Sequence, residues 1–132
     1  MYYTLRTTVD LPYDAAVSAT RAALDGQGFG ILTEIDLATT LKAKLDVDLP
    51  PQVILGACRP SLAYEALQTD PSIAAVLPCN VVVRSVDERT TIVEAFNPDA
   101  MVGLADNAAL DTVAAEAKRR LTAALAALSK EN

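Results

Sequence analysis

From Tyr2 to Val9 the chain alternates. Tyr3, Leu5, Thr7 and Val9 fall on one side, and Tyr2, Thr4, Arg6 and Thr8 on the other. That period predicts a half-buried strand. Leu11-Pro12 ends it, and Pro12 suits the first turn of a helix, where its missing N–H costs nothing. Asp14 in the same turn complements the helix dipole. Ala16, Val17, Thr20 and Leu24 then recur at helical spacing, and Gly26 and Gly28 close a helix predicted over about residues 12–26. Phe29, Ile31, Thr33 and Ile35 predict the apolar face of a second strand. Asp36 is a good N-cap for a short helix with Leu37, Leu41 and Leu45 as its stripe. Lys42 and Lys44 lie off that stripe as solvated charge. Pro50-Pro51 then forbids further helix and restarts the chain as extended.

Residues 52–58 read as a near-continuous apolar strand, which suits a position covered on both faces or by a partner subunit. Pro60 starts a helix carrying Leu62, Ala63, Ala66 and Leu67. Asp70-Pro71 predicts a capped helical turn reaching about Val76. Cys79, Val81 and Val83 alternate with Asn80, Val82 and Arg84, Asp87-Glu88-Arg89 is a turn, and residues 91–96 return as the second arm of a hairpin. Asn97-Pro98-Asp99 ends that strand. Last comes a long amphipathic helix along Leu110, Val113, Ala114, Ala117, Leu121, Ala124, Leu125 and Leu128, with Asp106 or Asn107 as its cap. Glu116, Lys118, Arg119 and Arg120 fall largely on its outer face. A stripe that long needs a sheet to cover. The expected fold is a single α+β domain over residues 1–132, a two-layer sandwich of a mainly antiparallel sheet with helices on one face. The other face is left for solvent or a second copy, so a homodimer is expected.

Composition narrows the chemistry. The chain has a net charge of −6 and no histidine. No basic face exists for nucleic acid, and no basic stripe for a membrane surface. Without histidine, Ser-His-Asp and Cys-His catalysis within one chain is excluded, and the commonest metal ligand is missing. No Gly-rich nucleotide-binding loop occurs. The first residues lack the apolar run of a signal peptide, and no stretch approaches a membrane span, so a cytoplasmic setting with reduced thiols is expected. Asp36, Glu34, Glu65 and Asp70 have simpler roles as caps or surface charge, and no catalytic residue is assigned.

The only two cysteines lie in Gly56-Ala57-Cys58-Arg59-Pro60 and Leu77-Pro78-Cys79-Asn80. Together with Gln27-Gly28-Phe29-Gly30 and Leu41-Lys42-Ala43-Lys44-Leu45, these motifs make the chain resemble the bacterial and archaeal family called domain of unknown function 302. The likeness runs from the first strand to Asn97-Pro98. It implies a fold similar to the TATA-binding-protein-like sandwich, with no established activity or cofactor. Where the family usually has Asn, this chain has Arg59, which cannot cap the following helix in the same way.

Several readings of the cysteines stay open. Free cysteine packs as a small hydrophobe, and Cys79 alternates with Val81 and Val83 as a core residue would. Alternatively Cys58, just before a helix and beside Arg59, is favoured as a thiolate. Cys58 and Cys79 would then form a reversible disulfide or bind a soft ion such as Cu(I), with Met101 adding a thioether. A small-ligand pocket under the sheet–helix layer, lined by Tyr64, Asn80 and Arg59, is another reading. A dimeric interaction module without chemistry is the last.

Overall fold

The computed structural model describes residues 3–105 and 107–129. Tyr2, where the first strand was expected to begin, and Asp106, one of two expected caps, lie outside the described residues. The strands are β1 (Thr4–Val9), β2 (Gly30–Asp36), β3 (Gln52–Cys58), β4 (Cys79–Asp87) and β5 (Thr90–Phe96). The helices are α1 (Tyr13–Gly26), α2 (Leu37–Leu45), α3 (Pro60–Thr69), α4 (Pro98–Ala105) and α5 (Asp111–Ser129). Short 3-10 turns at Pro71–Val76 and Ala108–Leu110 join α3 to β4 and α4 to α5.

The strands form one sheet in the order β1-β5-β4-β3-β2, antiparallel at every pairing. Cross-strand partners share a face, so the register sorts the side chains. Leu5 meets Ala95, Ala95 meets Val81, and Val81 meets Leu55. Val83 meets Val53 and Val93, and Ala57 meets Cys79. These residues turn inward beneath α1 and α5, where Leu24, Leu121 and Leu128 close the core. Each such Leu or Val contributes about 1.5–3 kcal/mol on burial. The polar groups in this layer are satisfied locally. Thr20 Oγ1 donates to the Ala16 carbonyl at 2.7 Å, and Thr91 Oγ1 to that of Leu11 at 2.8 Å. The α+β sandwich under a long C-terminal helix is therefore observed.

The opposite sheet face is not covered by these two helices. It carries Ile54, Val82, Ile92 and Phe96 around a polar centre. There Glu94 accepts from Thr4 Oγ1 at 2.7 Å and from Arg84 at 2.5 Å.

Five expectations are corrected. Phe29, Ile31, Thr33 and Ile35 do not share one face. A bulge between Ile31 and Thr33 inserts one residue, so Ile31 pairs with inward Ala57 while Thr33 and Ile35 pair with outward Gly56 and Ile54. A one-residue slip reverses every later side chain. Pro12 is the N-cap of α1 rather than a first-turn residue. In α2 the Asp36 cap holds, accepting from the Thr39 N–H at 2.9 Å, yet the Leu37-Leu41-Leu45 stripe buries nothing fully. Finally, Asn97-Pro98-Asp99 does not merely stop β5. Asn97 Oδ1 accepts from the Asp99 N–H at 3.0 Å and Pro98 opens α4, an unexpected helix. Lys118 on α5 ties it down through Asp99 at 2.7 Å. Leu110, expected in the last helix, is buried in the turn before it, and Asn107 caps that turn.

Candidate functional site

The two cysteine motifs meet where β3 ends and β4 begins. Ala57 registers with Cys79, and Cys58 with Gly30 of β2. Two glycines permit this junction. A Cβ on Gly56 would stand 2.1 Å from Thr33 Oγ1 and 2.9 Å from Pro78 Cγ. Gly28 has φ +83°, and a Cβ there would stand 2.9 Å from Arg59 Nε. Both signature glycines thus leave room for neighbours from other motifs. Gly56→Ala is expected to cost about 1–3 kcal/mol by overpacking. Urea unfolding measures this, and Thr33→Ala should recover part of the loss because the two positions touch.

Arg59 is the N-cap residue of α3 and makes no capping bond from its side chain. Its Nε donates instead to the Gln27 carbonyl at 3.1 Å, and its Nη1 to Ser61 Oγ at 3.3 Å. The guanidinium therefore pins the loop after α1 against α3.

Cys58, Cys79 and Met101 line one apolar cavity of about 30 Å³, closed by Phe29, Leu62 and Val113. Met101 is buried on α4. Both cysteines are free thiols. Burial pushes the Cys79 thiol up to about 11, and the neighbouring Cys58 charge adds to the rise. Burial also raises Cys58. The thiolate expected at Cys58 is thus not favoured. Desolvation disfavours the charged form, and it outweighs the start of α3, while the Arg59 guanidinium is turned to Gln27 and Ser61. Among the described residues, no three His, Cys, Asp or Glu side chains converge on a common point.

The pocket expected from Tyr64, Asn80 and Arg59 does not form. Tyr64 is 65% exposed on α3 and accepts from Gln68 Nε2 at 3.0 Å. Asn80 registers with Gly56 on the sheet face away from the cavity. Only Arg59 reaches the cavity wall. The acidic residues hold the simple roles expected of them. Asp36 and Asp70 cap, and Glu34 pairs with Arg21 at 2.9 Å. Other wall residues, among them Phe29, Leu62 and Val113, carry no chemical signal of their own in the sequence. Among the described residues, no helix is long and apolar enough to cross a membrane.

The family described as Domain of unknown function DUF302 matches residues 5–128 of the chain. No curated protein matches it. Among solved structures, it is similar to an uncharacterized conserved DUF302 protein from Bacillus stearothermophilus, at 27% identity and a TM-score of 0.89. That likeness covers 97% of this chain and 99% of the other.

Proposed function

The chain belongs to the family described as Domain of unknown function DUF302, and from its cysteine junction we propose that it holds a soft monovalent metal ion, Cu(I) by preference, between Cys58, Cys79 and Met101. One observation carries the reading. The three sulfur-bearing side chains line a single small cavity of about 30 Å³. Two thiols and a thioether are the donor set that selects Cu(I). Structural zinc wants four ligands, and no fourth donor lines this cavity. Binding replaces two thiol protons by one cation and leaves one net negative charge. The N-terminus of α3 offsets part of that charge.

Size argues against an organic ligand here, since such ligands occupy roughly 300 Å³ or more. A dithiol redox role is disfavoured by the raised thiol pKa values, which leave little thiolate to attack. A metal ion can displace the protons directly, at a cost in affinity that shrinks as pH rises. A cytoplasmic location would keep both thiols reduced and available. The test is the coordination shell of the protein loaded with one equivalent of Cu(I) in the absence of oxygen.

A second reading, a homodimer, is favoured by a separate observation. Leu32, Ile35, Leu45, Val47 and Leu49 are exposed along edge strand β2 and the segment leading from α2 into β3. Edge strands and clustered aliphatics are the features a second copy covers. Light scattering at about 10 µM should give a dimer that Leu45→Lys with Leu49→Lys converts to monomer. A monomeric native chain contradicts it.

A further inference from the structure

A second site lies on the sheet face turned away from the thiol cavity. Val82 and Phe96 floor a groove of about 440 Å³, with Tyr3 and Pro78 at its walls and Asn80 and Glu94 as polar groups. That volume lies within the range of small-molecule sites. It occupies the β1-β5-β4 part of the sheet, away from edge strand β2.

The chemistry of the lining is one-sided. No Lys or Arg lines the groove. Of the two cations beside Glu94, Arg84 is paired with it, and Arg6 stands opposite it across β1 and β5. Burial by itself would raise the Glu94 carboxyl. Hydrogen bonds from Thr4 and Arg84 and the charges of Arg84 and Arg6 outweigh it and hold Glu94 below the usual carboxylate range. An ionised carboxylate therefore faces the groove, and each of its oxygens keeps a lone pair beyond the bond it already accepts. The Asn80 carboxamide is exposed and makes no hydrogen bond among the described residues. Against these polar groups stand flat apolar surfaces. Tyr3 is 72% exposed, and Phe96 and Pro78 also line the groove. Such surfaces suit a planar ring, and an aromatic face attracts a cation as well.

We propose that this groove binds a small planar aromatic molecule carrying a cationic or N–H-donating group. The ring lies against Phe96, Tyr3 and Pro78, and the donor reaches Glu94 and Asn80. An anion of the same shape is disfavoured, because the ionised Glu94 faces it and no Lys or Arg lines the groove. The inference is independent of the metal reading, since the cavity and the groove share only Pro78 and none of the three sulfur-bearing residues lines the groove.

Two probes with one ring and opposite charge test this, tryptamine and indole-3-acetate. Each is titrated to about 5 mM against the labelled full chain by amide chemical-shift mapping. Tryptamine should shift Asn80, Val82, Glu94 and Phe96, and bind at least about tenfold tighter than indole-3-acetate. Glu94→Gln should bring the two probes to within about threefold. Because that change also frees Arg84 and can disturb the fold, Asn80→Ala serves as the second variant. It removes an exposed, unbonded side chain and should weaken tryptamine by about 3–10-fold. No shifts, shifts confined to other surfaces, equal affinity for both probes, or an unaffected Asn80→Ala variant would each overturn the proposal.

Discussion

Cys79→Ala is expected to lower the affinity for Cu(I) by about 1,000-fold or more while the protein stays folded. A residue that only supports a metal ligand costs about 10–100-fold when removed. A thiolate ligand must cost more, because its loss removes both a bond and a charge. Cys79 opens β4 opposite Ala57, and both residues face the cavity. Alanine keeps that wall apolar, and the removed sulfur leaves a small void worth about 1 kcal/mol. Cys58→Ala should behave alike, because a two-thiolate site fails from either side. Met101→Leu should fall within the 10–100-fold range, since a neutral thioether supplies no charge. Competition against a chromophoric Cu(I) chelator without oxygen measures all three. If Cys79→Ala changes the affinity by less than about tenfold, the cysteines are walls and nothing more.

The second large effect is on pH. Cys79 is held protonated by burial, with its thiol near 11 and Cys58 also raised. Below about pH 8 both sulfurs therefore carry protons, and each must leave before a Cu–S bond forms. Two protons released per ion means that affinity rises with pH by about 100-fold per unit. The sign follows from linkage, since the metal-bound state holds fewer protons than the free one. Chelator competition at pH 6, 7 and 8 reads the slope, taking those values as roughly spanning the protonated range. A slope near one proton would mean that a single cysteine binds. A flat profile would mean that neither does.

How much of this could be read from residues alone depended on the distance over which the information is written. The α1 and α5 stripes and the β4–β5 hairpin are local periodicities, and they emerge where expected. The bulge in β2 is not local. Leu32 continues an apolar run, and only pairing with β3 decides that Thr33 and Ile35 turn outward. The α4 helix is hidden because Asn97-Pro98-Asp99 follows a strand and reads only as its end. The same Asx-Pro pair was read correctly as a cap at Asp70-Pro71. The two pairs act alike, since Asn97 and Asp70 each accept from the N–H two residues on and close the first turn. In the candidate site, the cysteine motifs and Met101 stand out as sulfur carriers. Their meeting in one cavity depends on the β3–β4 register and on the unexpected helix that carries Met101. The raised Cys58 thiol was also illegible. A helix start and an arginine next in sequence suggest a thiolate, but Arg59 turns to Gln27, and that choice is made by the tertiary packing around Gly28.

Copper K-edge absorption of the full chain loaded with one equivalent of Cu(I) tests the central claim most directly. The account predicts a shell of sulfur alone, two short thiolate bonds and a longer thioether bond that disappears in Met101→Leu. Nitrogen or oxygen scatterers around the ion, or copper that does not stay with the protein, would contradict it.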